Sequence, residues 1–265
     1  SFKHLAKKLI SEEKTGCLGV DLNIDHIAVT ELDRFGNPIE SHSIPLVTYG
    51  KDKHQTLATI GEAAKQLVEW AVRAKKPIVM EDLDFSEKKA SLKGISKKYA
   101  RMLSSFAYSK TLLFIKSRAF RHGIEVKLVN PAYSSVIGRV VYQKKHGLTS
   151  HQAAALVIGR KNYRLSERLP KSKKLLLSWN KIDHVTLDVP VRNRCRHVWS
   201  DWAILNRKLK TANASHYRTN QILPACYWPQ VVMALGPSVI PSGTMDVNRH
   251  QSCSDDVVDL NDYKK

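Results

Sequence analysis

Two acidic residues and one histidine occupy positions in the sequence that are suited to metal-ion chemistry. Asp21 lies near the end of the short apolar run Cys17–Leu22, and Glu81 ends the apolar run Ile78–Glu81. His151 begins an alanine-rich segment that predicts a helix. A carboxylate near the end of a buried strand costs free energy unless a partner compensates its charge. That partner is either a divalent cation or, for an ordinary structural acid, a hydrogen-bond donor or solvent.

The chemistry of such a set depends on its ligand types. Two carboxylates can hold Mg²⁺ or Mn²⁺, since Mg²⁺ prefers oxygen ligands and keeps waters for phosphate chemistry. Two such ions about 4 Å apart clamp the attacking and leaving oxygens of a phosphodiester. A neutral imidazole at His151 can ligate a metal or relay a proton. Mg²⁺ nevertheless prefers oxygen to nitrogen, so His151 also fits an ordinary helix-start residue in a domain that binds nucleic acid without cutting it.

The elements predicted around these residues follow a specific order. Short apolar runs predict strands, and three- and four-residue apolar spacing predicts helices. The predicted strands are 17–22, 27–32, 39–44, 78–81 and 124–129, and the predicted helices are 55–74, 96–121 and 151–160. Thr149 or Ser150 can cap the last helix, and a basic loop containing Arg139, Lys144 and Lys145 precedes it. This order predicts an α/β protein with the RNase H-like fold, a mixed sheet flanked by helices, in which Asp21, Glu81 and His151 meet at one sheet end.

The charge of the chain indicates a polyanionic partner. The 265 residues include 43 Lys and Arg against 24 Asp and Glu, a formal net charge of +19. Nucleic acid is the first candidate and an anionic membrane surface the second. Basic residues can follow a phosphate backbone or form an ordinary solvated surface; the candidates are Lys88, Lys89, Lys97, Lys98, Arg101, Lys144 and Lys145.

The cysteines and the hydropathy of the chain argue against a zinc-ribbon protein, a membrane protein and a secreted protein. The four cysteines are far apart and form no C-x-x-C pair, which argues against a zinc ribbon and favours reduced thiols. No apolar run reaches 18 residues and no signal-peptide pattern opens the chain. The expected location is therefore the cytoplasm.

The chain resembles the RuvC-like nuclease domain of TnpB proteins, which are encoded by insertion sequences and are similar to type V CRISPR effectors. The resemblance covers roughly residues 16–165 and depends on Gly19-Val20-Asp21-Leu22, on Glu81-Asp82-Leu83, and on the stretch 154–160 (AALVIGR). The resemblance implies an RNA-guided DNA endonuclease that depends on Mg²⁺. Its implied partners are DNA and a guide RNA, and its implied location is the nucleoid of a prokaryotic cell. The resemblance also implies that Asp21, Glu81 and His151 are the catalytic and metal-binding residues.

The chain departs from that family in two respects. The family's third acid is an Asp, and His151 occupies its place. The family's zinc ribbon is missing between Ser135 and His151, so no structural zinc is expected. An active nuclease and a nuclease-inactive nucleic-acid-binding relative both fit this pattern. An actin-like ATPase also opens with Gly-x-Asp-Leu and a hairpin, but the sequence lacks the second glycine-flanked phosphate loop that this fold needs.

Three segments are predicted along the chain. Residues 1–15 form a basic, helical lead-in from a missing N-terminal region, 16–170 the nuclease domain, and 171–265 an irregular, partly disordered C-terminal extension. Aromatic residues of the extension can stack on bases, although core packing is the more common role. These aromatic residues are Trp199, Trp202, Tyr227 and Trp228.

Overall fold

The computed structural model describes residues 8–48, 50–83, 105–178, 184–192 and 195–219. A five-stranded sheet consists of β1 (Cys17–Leu22), β2 (His26–Leu32), β3 (Pro38–Pro45), β4 (Ile78–Glu81) and β5 (Val126–Val129). The strand order is β3-β2-β1-β4-β5. The first three strands are antiparallel, whereas β1, β4 and β5 are parallel. This mixed sheet has the strand order and directions of the RNase H-like fold, and the predicted fold class is confirmed.

Helices cover both faces of the sheet. In the described ranges, the helices before β5 are a 3₁₀ turn (Glu13–Thr15), α1 (Lys53–Ala74) and α2 (Ser105–Arg121). The helices that follow β5 are α3 (Ser134–Ile137), α4 (Lys144–His146) and α5 (Ser150–Asn162), with a π-helical stretch at Gly138–Gln143. On one face, Leu18 and Val20 pack with α1 and α2. On the other face, Cys17 and Val79 pack with α5. Within the described ranges, no helix is long and apolar enough to cross a membrane.

Two local predictions were wrong. The basic lead-in is not helical over residues 8–12, where the Ile10 amide donates to the Gly123 carbonyl oxygen at 2.8 Å. The predicted basic loop before the last helix is helical from Ser134 to His146. Buried side chains drive this second difference, since Val136 and Tyr142 pack against the same core as α5.

Regular elements also occur in the segment after residue 170. β6 (Lys174–Ser178) and β7 (His184–Asp188) form an antiparallel hairpin, and α6 (Val198–Thr219) follows. Trp202 of α6 is fully buried, and its indole N–H donates to the Glu167 carbonyl oxygen at 2.9 Å. The hairpin and α6 share the α5 core. The domain boundary at residue 170 stays a prediction, and residues 220–265, with Tyr227 and Trp228, lie outside the described residues.

The close approach of α5 to β1 requires glycine at position 19. A Cβ on Gly19 would lie 2.0 Å from the Ala155 carbonyl oxygen and 2.8 Å from the Gly159 amide nitrogen, both backbone atoms of α5. Gly19→Ala is therefore expected to destabilise the protein by about 1–3 kcal/mol, since the helix must move away. Urea unfolding measures this change.

Gly61→Ala is the matched control for that substitution. Gly61 lies inside α1, and its Cβ would meet only the Phe114 ring at an ordinary 3.6 Å. Because alanine has the higher helix propensity, this variant is expected to be up to about 1 kcal/mol more stable than wild type. A Gly19→Ala protein as stable as Gly61→Ala would contradict the described packing of α5 on β1.

Candidate functional site

The sheet register places Asp21 and Glu81 next to each other. β1 and β4 pair in parallel through Gly19↔Val79 and Val20↔Met80, so the next residues along are Asp21 and Glu81. Side chains alternate between the two faces of a strand. Val79 faces α5, and Gly19 touches α5. The side chains of Asp21 and Glu81 therefore lie on the face of the sheet that packs against α5, at the carboxyl ends of neighbouring parallel strands.

The first turn of α5 places His151 against Asp21. The His151 Nδ1 atom lies 3.1 Å from the Asp21 Oδ2 atom. These side chains are 25% and 13% exposed, respectively, so the contact is largely shielded from water. A carboxylate oxygen can only accept, so Nδ1 carries the hydrogen in this contact. The structure thus brings together two of the three predicted site residues in direct contact and places Glu81 on the adjacent strand.

Several contacts fix the start of α5. Thr149, one of the two predicted caps, is the N-cap of α5 and forms a capping box with Gln152. The Thr30 hydroxyl of β2 also donates to the Gln152 carbonyl oxygen at 2.8 Å. These contacts anchor the helix end that carries His151 to both its own loop and the sheet.

The turn between β1 and β2 contributes further polar groups. Asn23 donates from Nδ2 to the Asp21 Oδ2 atom at 3.1 Å. His26 places its ring edge-on to His151, with ring centroids 4.9 Å apart, and its Nδ1 lies 2.7 Å from the Asp25 Oδ1 atom. Asn23 and His26 are not among the predicted site residues, although both lie within five residues of Asp21 and between two predicted strands.

Lys161 brings a positive charge to the Glu81 side of the site. Its ammonium donates to the carbonyl oxygens of Asn130 and Ala132 at 2.7 and 2.8 Å and to the Ser134 hydroxyl at 2.5 Å. Burial lowers the pKa of Lys161 to about 8, and the nearby Glu81 carboxylate opposes that decrease. Sequence reasoning missed this residue; the available signal was its position near the end of the helix that begins beside His151.

A buried phenol from α2 lies close to the Asp21 side of the site. Burial raises the pKa of Tyr108, and the Asp21 and Asp25 carboxylates raise it further. Tyr108, Leu22 and Asn23 line the same small cavity. A ring of α2 and the turn that follows Asp21 therefore border one cavity.

The oxygen donors at this end of the sheet are the two carboxylates of Asp21 and Glu81. These carboxylates lie on one face of the sheet at adjacent strand ends. Mg²⁺ prefers oxygen ligands of this kind. Among the residues that the structure describes, however, no group of three or more His, Cys, Asp or Glu side chains is arranged to hold one ion. His151 contacts Asp21 instead of completing such a group. Asp21 and Glu81 are thus the residues that could hold a divalent cation.

The predicted nucleic-acid-binding residues fall into two groups. Lys144 and Lys145 are exposed in α4. The other five lie within residues 84–104, outside the described residues: Lys88, Lys89, Lys97, Lys98 and Arg101.

Comparisons with known proteins give weak similarities. No protein-family model matches the chain, and a search of curated proteins found no match. The chain is similar to RuvC of T. thermophilus in complex with Holliday junction substrate, with 16% identity and a TM-score of 0.41 over 54% of this chain and 89% of RuvC. A second Thermus thermophilus RuvC structure gives 15% identity and a TM-score of 0.38, over 54% of this chain and 90% of that one.

A third similarity is to Cas12f1. Cas12f1, in a complex with sgRNA and target DNA, gives 14% identity and a TM-score of 0.39 over 57% of this chain. The match spans 51% of the Cas12f1 chain, about half its length. The order and directions of the strands, rather than these similarities, define the fold.

Proposed function

We propose that this protein contains a RuvC-like, divalent-metal-dependent nuclease domain that hydrolyses phosphodiester bonds of DNA. One observation supports this most strongly: the side chains of Asp21 and Glu81 lie on the same face of adjacent parallel strands, and His151 contacts Asp21 at 3.1 Å. The net charge of +19 favours a polyanionic substrate. These features together are what a metal-assisted phosphodiester hydrolase needs.

Each residue of the site has a separate task in this proposal. Asp21 and Glu81 would hold Mg²⁺ or Mn²⁺, which when bound supplies an activated water and stabilises the charge that develops on the phosphate. His151 and Asn23 both donate to the Asp21 Oδ2 atom and fix the direction of that carboxylate. Lys161 offsets part of the charge of Glu81. The protein thus supplies two oriented carboxylates in a partly dry site.

The finer part of the proposal is that the protein is of the TnpB type, associated with a transposon and guided by RNA. The ordered motifs around Asp21, Glu81 and residues 154–160 support it. Its partners would then be target DNA and a guide RNA in the prokaryotic nucleoid, with the seven predicted basic residues as contacts to phosphates.

A second candidate function is a nuclease-inactive relative that binds nucleic acid. His151 replaces one carboxylate, and the Lys161 ammonium interacts with another, so the site carries less negative charge than two divalent ions need. This candidate retains the fold and the basic surface but lacks cleavage.

Substitution of His151 separates the two candidates. His151→Asp adds a carboxylate beside Asp21, and we expect it to lower the Mg²⁺ concentration needed for half-maximal cleavage about tenfold, because charged oxygen ligands strengthen binding of Mg²⁺. Cleavage of supercoiled plasmid and of a labelled single strand, titrated with Mg²⁺ and Mn²⁺, measures this.

His151→Asn is the matched control, since it offers an oxygen without adding charge. It is expected to leave the Mg²⁺ requirement within about twofold of wild type if charge is the deciding factor. Cleavage by His151→Asp alone, with none by wild type in either metal, would favour the nuclease-inactive candidate.

A further inference from the structure

An aromatic cluster lies where α6 begins, and it consists of Tyr133, His197 and Trp199. The Trp199 ring packs edge-on against Tyr133, with centroids 6.1 Å apart, and against His197, with centroids 5.6 Å apart. The backbone N–H of Trp199 also donates to the His197 Nδ1 atom at 3.2 Å. Three rings from two distant segments of the chain therefore form one surface.

The Trp199 ring lies outside the hydrophobic core, although Tyr133 packs against that core. Trp199 is 41% exposed, whereas Trp202, one turn later in α6, is fully buried. The core of this region is thus complete without the Trp199 ring. An exposed tryptophan that is held by two other rings suits a ligand that can pack on an aromatic ring.

The loop that carries Tyr133 follows a strand end next to the proposed nuclease site, since Val129 at the end of β5 pairs with Glu81 at the end of β4. Tyr133 has a φ of 63°, a left-handed conformation that is uncommon for a residue other than glycine. Lys161 holds the backbone on the N-terminal side of Tyr133 by donating to the carbonyl oxygens of Asn130 and Ala132. The same ammonium interacts with Glu81. The Glu81–Val129 pairing and the Lys161 contacts therefore place the loop that carries Tyr133 at the same end of the sheet as Glu81.

The charge near the cluster favours an anionic ligand. Arg192 and Arg196 are exposed in the segment that leads into α6. The whole chain carries a net charge of +19. A ligand with both stacking faces and negative charge fits this surface, and unpaired nucleotides have both.

We propose that the Tyr133–His197–Trp199 cluster stacks an unpaired base of single-stranded DNA and so guides the strand toward Asp21 and Glu81. This inference rests on the proposed nuclease function and adds a binding surface to it. A duplex keeps its bases stacked on one another, so it cannot use the cluster in the same way. The site would therefore receive a strand that is already separated.

Binding in the absence of metal tests this proposal. Fluorescence anisotropy with a fluorescein-labelled single-stranded DNA, in EDTA, compares wild type with Trp199→Leu and Trp199→Phe. Trp199→Leu keeps an apolar side chain but loses the π face, and it is expected to weaken single-strand binding about five- to one-hundred-fold. Trp199→Phe is expected to keep most of the affinity, and both variants to bind a duplex of the same sequence as wild type does.

Phe35→Leu is the matched control, since Phe35 is 65% exposed and lies outside the cluster. It is expected to bind as wild type does, and circular dichroism checks that each variant is folded. Unchanged single-strand affinity in Trp199→Leu, an equal loss in Phe35→Leu, or a loss confined to an RNA strand of the same sequence would overturn the proposal. Trp199-dependent binding by a protein that cleaves nothing would instead count against the nuclease function alone.

Discussion

Asp21→Asn is expected to reduce phosphodiester cleavage at least about a thousandfold, because several kcal/mol of transition-state stabilisation depend on a correctly held metal ion. Asparagine keeps the size of the side chain and its carbonyl oxygen but removes the charge that attracts a cation. The contacts with His151 and Asn23 converge on this one carboxylate. The initial rate of plasmid nicking at saturating Mg²⁺ measures the loss.

Asp25→Asn provides the control for that experiment. Asp25 lies in the same turn and pairs with His26, but its side chain is 60% exposed. Its replacement is expected to leave the cleavage rate within about threefold of wild type, since exposed ion pairs contribute little. A thermal shift adds a readout that is independent of cleavage: millimolar Mg²⁺ should raise the melting temperature of wild type and of Asp25→Asn, but not that of Asp21→Asn. Equal Mg²⁺ stabilisation of all three proteins would contradict a metal at Asp21.

The sequence predicted the sheet well because its strands have local signals. Cys17–Leu22 and Ile78–Glu81 are short apolar runs with an acid near the end, and both are strands in the structure. Strand alternation and the parallel register then determine that Asp21 and Glu81 share a face. The meeting of Asp21 with His151, 130 residues later, also follows from the predicted fold order.

Features that depend on tertiary contacts were not predictable in the same way. Lys161 donates to carbonyl oxygens about 30 residues earlier in the chain, and no local pattern encodes such bonds. The helical stretch before α5 has a basic sequence, which predicts an exposed loop. Its partial burial depends on the packing of Gly138 against Ala153, a contact that no local pattern shows. Trp199 and Trp202 differ in burial although they lie in one helix, because only Trp202 faces the α5 core.

A buried ion pair outside the site carries the largest expected effect on stability. The Lys76 ammonium lies 2.7 Å from the Glu31 Oε1 atom and 2.9 Å from the Leu32 carbonyl oxygen, and the Trp70 indole N–H donates to the Glu31 Oε2 atom. The Lys76 and Glu31 side chains are only 7% and 14% exposed. Lys76→Met is expected to destabilise the protein by about 3–5 kcal/mol, because it leaves the Glu31 carboxylate buried without a counter-charge. Urea unfolding measures the loss.

The surface pair Lys65–Glu62 distinguishes loss of a buried partner from loss of any lysine. Its two charged groups are 3.8 Å apart, and the side chains are 44% and 56% exposed, so Lys65→Met is expected to cost less than about 1 kcal/mol. Adding Glu31→Gln to Lys76→Met removes the unpaired charge and should recover part of the stability, since a neutral amide is easier to bury than a carboxylate. Equal destabilisation by Lys65→Met and Lys76→Met would show that burial of the Glu31 charge is not the cause. Recovery in the double variant, together with a small effect at Lys65, would establish that Lys76 stabilises the fold by neutralising Glu31 at the junction of α1 and β2.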